Sequence, residues 1–445
     1  MSYTKIQDKQ QLIQDRISEQ YQLRQSRRLE ILQKKRIEIE ENERIEKEKE
    51  RIPIIMKEET ISEIIQQVLE SSSIEILHEK LLFIKHKIHS IHDVEKKLIQ
   101  TFIQFLLQLI NNKELSVATL SLSLLNEMIM ISTQFSIYIE EFQGVEIMYQ
   151  NCVEKELLIP IVKVIGNLVL DKRDKCVEFI NKFVPYSLTL NNIELMRNVS
   201  WMIDCAASQN YDVTGCIEKC LSLQDIEIQT NILDACLHLS KNNKPIPIQQ
   251  LLFFLNDNRS RWFVIEILAN EAYHGKYLDD IFKILPQLLQ IQLIPKEVTN
   301  IIWMIEILSI SLNHLVQMNS IGCIEYVIKH SHSMDIAIKR QCCYTLSTFV
   351  QLCCNDIQSM QYLIDLKIIQ TLSELLDEYK TLESKDIITI LDTFMMLLEK
   401  EEFDSRITDQ IEENTFIFEN ILFDSSTPTK ISKKIHYILT TYFEM

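Results

Sequence analysis

The fold class predicted by this sequence is an all-α chain of stacked helical repeats. Three observations predict it: turn-forming residues are scarce, apolar residues recur at helical rather than strand spacing, and the pattern repeats at roughly 40 residues, the period of helical repeat proteins. The 445 residues include only 5 Gly and 8 Pro, against averages of about 7% and about 5% in globular chains. Sheets and βα units need turn residues every few positions, and these are missing. Apolar residues make up 46% of the chain. They are mostly Leu and Ile mixed with Lys, Glu and Gln, so helices joined by short polar turns have ample core material.

From about residue 65 onward, apolar-striped segments alternate with short polar breaks such as Asn111-Asn112-Lys113, Asp171-Lys172-Arg173-Asp174 and Lys241-Asn242-Asn243-Lys244-Pro245. A unit of roughly 40 residues built from two or three helices is the armadillo/HEAT pattern. One such unit cannot bury its own hydrophobic face, so units must stack. Residues 66–445 are therefore expected to form a right-handed armadillo-repeat superhelical solenoid of about ten repeats.

Residues 1–60 read differently, as an N-terminal arm. Residues 1–51 hold 13 Lys+Arg and 11 Asp+Glu and sustain no heptad, so a single solvated helix or disordered basic arm is expected rather than a coiled coil. Arg24, Arg27, Arg28, Lys34, Lys35 and Arg36 cluster around one acid, Glu30, and Pro53 marks the end of the arm.

The net charge of −17 is carried by the body: beyond residue 51 there are 33 Lys+Arg against 52 Asp+Glu. An acidic body argues against direct nucleic-acid binding and favours basic partners. No apolar run reaches the ~18 residues that span a membrane, and the first residues contain no apolar signal-peptide core. The 11 cysteines form no Cys-x-x-Cys pair and sit in apolar helical patterns, as suits a reducing compartment. Cytoplasm and nucleus are the expected locations.

Enzyme chemistry is not expected. Phosphate-cradling loops need clustered glycines, and Gly144, Gly166, Gly215, Gly275 and Gly322 are widely scattered. The histidines show no His-Glu-x-x-His and no Cys/His metal spacing; His86/His89 and His330/His332 read as surface pairs. Cys216 and Cys220, at i,i+4, read as packing residues. No metal and no cofactor is expected.

One block is more specific. Val164-Ile165-Gly166-Asn167-Leu168-Val169-Leu170-Asp171, then Lys175-Cys176, then Arg197-Asn198-Val199-Ser200-Trp201 resembles the importin-α (karyopherin-α) family in order and spacing. Ile435–Phe443 resembles that family's last helix, and the basic arm resembles its importin-β-binding segment. The resemblance implies a concave groove that takes basic nuclear localisation signals, where each repeat's third helix offers a Trp and, four residues on, an Asn. Positions i and i+4 share a helix face; the Asn holds peptide backbone, the Trp flanks lysine stems at roughly 0.5–2 kcal/mol per contact, and carboxylates pair with the ammonium heads.

Laid on this chain, the Trp positions of that ladder fall at Leu122, Lys163, Trp201, Leu237, Glu266, Trp303 and Tyr344. Successive positions are close to one repeat length apart, except for a shorter step from Leu237 to Glu266. The Asn positions hold Asn126, Asn167, Cys205, Asn270, Ile307 and Thr348, and Asp171 and Asp234 retain family acids. No repeat keeps both Trp and Asn, and the short step suggests a shortened repeat or a slip of register. Trp262 lies off the ladder and is expected in the core. The peptide-binding residues implied are Asn126, Asn167, Asp171, Trp201, Asp234, Asn270, Trp303 and Tyr344; those implied for importin-β are Arg24, Arg27, Arg28, Lys34, Lys35 and Arg36. The function implied is a nuclear import adaptor whose partners are an importin-β-like receptor, basic cargo and a nuclear export receptor. The eroded ladder supports an alternative, an armadillo scaffold for cytoskeletal or regulatory assembly that has lost conventional signal binding.

Overall fold

A computed structural model describes residues 60–71, 73–400 and 404–443. The basic cluster Arg24–Arg36 and the rest of the expected arm through residue 59 lie outside the described residues. The chain divides into two compact units, Met1–Gln66 and Gln67–Met445. In the first, the described residues open helix α1 (Ile61–Glu70). Its start is set by a reciprocal cap: the Thr60 amide donates to Glu63 Oε2 at 2.8 Å, and the Glu63 amide donates to Thr60 Oγ1 at 3.3 Å.

The second unit is helical throughout its described residues. Its N-terminal part holds α2 (Ile74–His86), α3 (Lys96–Leu109), α4 (Leu115–Ile131), α5 (Thr133–Glu141), α6 (Gly144–Gln150) and α7 (Leu158–Leu170). The centre holds α8 (Lys175–Thr189), α9 (Ile193–Ser208), α10 (Thr214–Cys220), α11 (Ile226–Lys241), α12 (Ile248–Leu251) with a 3-10 turn at Leu252–Asn256, α13 (Arg261–Tyr273), α14 (Leu278–Leu288) and α15 (Pro295–Leu308). The C-terminal part holds α16 (Leu312–Ser320), α17 (Cys323–Ser331), α18 (Ile336–Cys353), α19 (Ile357–Asp365), α20 (Ile368–Asp377), α21 (Ser384–Leu398), α22 (Arg406–Glu412), α23 (Thr415–Phe423) and α24 (Thr429–Tyr442).

The polar breaks read from the sequence fall between helices, and neighbouring break residues cap the helices that follow. Asn192 accepts from the Leu195 amide, Asp225 from Glu227 and Ile228, Asp335 from Ala337 and Ile338, and Asp356 from Ser359. Where two short helices meet head to tail, a residue in the left-handed region turns the chain: Gln143 (φ 56), Gly322 (φ 83) and Lys367 (φ 63). Only Gly322 takes this conformation without a Cβ penalty.

Ten long helices make one row. In the order α2, α4, α7, α9, α11, α13, α15, α18, α21 and α24, each packs on the next, the nearest-neighbour arrangement of repeat proteins. The remaining helices, most of them shorter, pack against this row, and the core lies between. Phe102, Phe183, Phe349, Phe394 and Phe418 are fully buried there. Ten of the eleven cysteines are buried as well; burial pushes the thiols of Cys152, Cys176, Cys220, Cys323 and Cys353 up to about 12.

Three clamps tie successive long helices, each pairing an Arg with an acid at the N-terminus of the next. Arg197 of α9 holds Asp225, the N-cap of α11, at 2.8 Å. Arg261 of α13 grips Glu297, in the first turn of α15, with both carboxylate oxygens at 3.0 and 3.2 Å. Arg340 of α18 reaches Asp386, in the first turn of α21, at 2.9 Å. The acid serves twice: it satisfies orphan amides and meets the positive end of its own helix dipole, as in the Ile294 amide donating to Glu297 at 2.9 Å and the Glu383 amide donating to Asp386 at 2.9 Å.

Candidate functional site

The peptide-binding residues that the sequence singles out stand on or at the ends of the long helices, in several different states. Asn126 and Asn167 bond each other across α4 and α7, Asn167 Nδ2 donating to Asn126 Oδ1 at 2.7 Å. Asp171, half-buried at the end of α7, accepts from the Ser136 hydroxyl. Trp201 is half-buried and its ring lies against Gly166: a Cβ added there would stand 2.3 Å from Cζ3. The Gly-Trp pairing of the 164–201 block is therefore an inter-helix contact that only glycine permits. Asn270 is buried and donates to Ser240 Oγ at 3.1 Å. Trp303 is half-buried, 6.2 Å from the Tyr273 ring. Tyr344 is buried, its hydroxyl donating to Asp386. The structure thus brings Asn126 and Asn167 together, and leaves the Trp201, Asp234 and Trp303 side chains accessible in part.

Among the substituted ladder positions, Lys163 is exposed, while Leu122, Leu237 and Cys205 are buried. The short step from Leu237 to Glu266 is a slip of register and not a missing helix: α9, α11, α13 and α15 begin at Ile193, Ile226, Arg261 and Pro295, at nearly even intervals. Counted from the helix start, the residues equivalent to Trp201 are Asp234 in α11 and Ala269 in α13, so Leu237 lies late and Glu266 early in that register.

Trp262, expected in the core, is half-buried because Lys296 covers it. The Lys296 ammonium sits 3.4 Å from the ring centroid and 3.0 Å from Glu266, which lies one turn beyond Trp262 and is itself 1% exposed. Lys241 reaches the other oxygen of Glu266 at 3.3 Å. This is a lysine held by a Trp face and a carboxylate on the same helix face. The two ladder tryptophans also have an acid about one turn on, at i+3: Asp204 after Trp201 and Glu306 after Trp303. Glu306 already accepts from Gln341 at 2.6 Å.

Asp204 leads to a further group. His238 Nε2 lies 3.8 Å from Asp204 Oδ1 and 3.8 Å from Asp234 Oδ1. Sequence reasoning kept Asp234 and missed Asp204, Glu306 and His238. The Trp-x-x-acid spacing and the Asp-x-x-x-His spacing of 234 and 238 were signals; the nearness of Asp204 to Asp234, a whole repeat away in sequence, left none.

No protein-family model matches the chain, and no curated protein matches it. Among solved structures, a crystal structure of an engineered protein is similar, with a TM-score of 0.59, 15% identity, and coverage of 86% of this chain and 98% of that one. At that identity the likeness concerns fold alone, and it agrees with the long-helix row: the described residues form an all-helical, solenoid-like stack.

Proposed function

We propose that this chain is an importin-α-like adaptor that binds extended basic peptides along its row of long helices. The observation that carries the reading is the Trp262–Lys296–Glu266 cradle, in which the molecule itself holds a lysine between an indole face and a carboxylate one turn away. Trp201 with Asp204 and Trp303 with Glu306 place an indole and a carboxylate about one turn apart along the row and offer the same chemistry to a ligand's lysines. The acidic body adds long-range attraction. In this reading the repeats are of armadillo type, about ten in number; the arm around Arg24, Arg27, Arg28, Lys34, Lys35 and Arg36 engages an importin-β-like receptor; a nuclear export receptor completes the cycle; and the protein moves between cytoplasm and nucleus.

A titration with a labelled bipartite basic peptide tests this. Binding should weaken steeply with salt, and Trp303→Ala and Trp201→Phe should each weaken it severalfold, in line with roughly 0.5–2 kcal/mol per cation–π contact. Binding that ignores both substitutions and salt would remove the adaptor reading. A pull-down with importin-β should be lost on charge reversal of the six arm residues.

A second reading is favoured by one observation: ladder side chains are engaged between helices, the backbone-holding Asn167 with Asn126 and Asn270 with Ser240, and Tyr344, at a Trp position, with Asp386. It describes a scaffold whose repeats bind folded partners and no longer read conventional signals.

A further inference from the structure

We infer that Asp204, Asp234 and His238 form a binding site for one divalent transition-metal ion of the zinc class, bridging α9 and α11. The donor atoms come from two successive long helices and converge: one oxygen from each carboxylate and Nε2 of the imidazole all lie within 4.8 Å of one another. Asp234 and His238 are an i,i+4 pair on α11 and share a face. Asp204 comes from the adjacent face of α9.

The spacing is informative. At 3.8 Å, both imidazole–carboxylate separations are longer than a hydrogen bond. They are shorter than about 4.2 Å, the sum of two ordinary zinc bonds of about 2.0–2.2 Å. An ion between Nε2 and either oxygen therefore fits with normal bond lengths; small rotations about the two aspartate side-chain bonds bring both carboxylates onto it. The donor chemistry agrees: imidazole with two carboxylates is a nitrogen–oxygen set suited to zinc-class ions, whereas an all-oxygen set would suit calcium or magnesium.

Burial supports the assignment. Asp204 is 7% exposed, so its carboxylate is held within the helix stack. The His238 side chain is 16% exposed and that of Asp234 38%, so the group opens toward the outside at Asp234, which gives an ion an entry path. Three protein donors leave a position for water or for a donor from a bound partner. The ion would also staple α9 to α11 in the part of the chain where the outer layer is thinnest. The site shares Asp204 and Asp234 with the proposed peptide-binding row, but its test reads metal binding in the absence of peptide, so failure of one reading is distinguishable from failure of the other.

The test is titration of chelator-stripped full-length protein with Zn2+, and with Co2+ as a spectroscopic probe. One tight equivalent is expected, with Co2+ d–d bands in the visible. His238→Ala and Asp204→Asn should each weaken binding at least about tenfold. Asp234→Asn, a near-isosteric change at a half-exposed position, should do the same with an unaltered helical circular dichroism spectrum, which separates ligand loss from misfolding. His314→Ala, on α16, should have no effect. Equal Zn2+ affinity in the wild type, His238→Ala and Asp234→Asn overturns the proposal, as does the absence of any Co2+ bands that these substitutions abolish.

Discussion

Residues 175–308 and residues 312–442 build the same row of long helices from different parts. In the centre each long helix has one outer helix, of 15, 7, 4 and 11 residues, and the long helices start at the close, even intervals marked by Ile193, Ile226, Arg261 and Pro295. In the C-terminal region every long helix has two outer helices, and the starts at Ile336, Ser384 and Thr429 are correspondingly farther apart. The thinner region is also the more polar inside. Four of the five buried carboxylates among the described residues lie there, Asp204, Glu266, Glu271 and Glu297; Asp386 is the fifth. Losing an outer helix removes apolar cover, and the interface between long helices then takes up the charged residues. Both the lysine cradle and the candidate metal group fall in that region.

The largest effects should come from the clamps, which test whether the two regions are tied equally. Glu297→Ala leaves Arg261, 8% exposed, without its buried carboxylate and should cost about 3–5 kcal/mol in denaturant unfolding. Asp386→Ala removes the acceptor of Tyr344 and one of the two carboxylates on Arg340, which keeps Glu383 at 2.7 Å, and should cost somewhat less. Replacing both central partners, Arg261→Met with Glu297→Leu, should recover most of the loss; a double variant as unstable as the single would show that Glu297 acts mainly as a helix cap. Next in size is Gly166→Ala, where the new methyl overlaps the Trp201 ring and should destabilise by about 1–3 kcal/mol. Combining it with Trp201→Leu should be less costly than the sum, because both changes act on one contact.

The smallest effect sharpens the contrast in buried charge. Burial holds the Glu271 carboxyl above the usual carboxylate range, with Lys276 at 3.8 Å a lesser, opposing influence. The folded state therefore prefers the protonated form. Its contribution is fully present below the unfolded pKa of about 4.3 and is lost as pH rises through the raised folded value. Glu271→Gln should flatten that dependence and raise stability at neutral pH by about 1 kcal/mol, measured by thermal unfolding between pH 4 and 8. At Asp225 the sign is opposite. The Arg197 hydrogen bond depresses its pKa, so its contribution is present above the unfolded value and fades as pH falls through the lowered one.

Much of the fold was legible because helix and break are written locally: Asn111–Lys113, Asp171–Asp174 and Lys241–Pro245 all fall between helices or at their ends. Trp201, Trp303 and Tyr344 all occupy the same position of their long helices, counted from Ile193, Pro295 and Ile336. The register failed at Leu237 and again at Glu266 because a shift of three residues keeps a side chain near the same helix face, so Leu237 looks equivalent to Asp234 and Glu266 to Ala269. Less of the candidate site was legible. Whether Asn270 faces a groove or donates to Ser240 depends on the neighbouring helix, and the nearness of Asp204 to His238 depends on the stacking of α9 on α11. Neither is a property of one helix alone.

The buried cysteines have a practical consequence. A thiol reacts as thiolate, and burial suppresses that form at Cys152, Cys176, Cys216 and Cys220 on one side and at Cys323 and Cys353 on the other. Alkylation at each position must wait for its own stretch of helices to come apart. The chain thus carries a series of built-in clocks for regional opening, readable by mass spectrometry without any engineered label, with half-exposed Cys354 as the early-reacting reference.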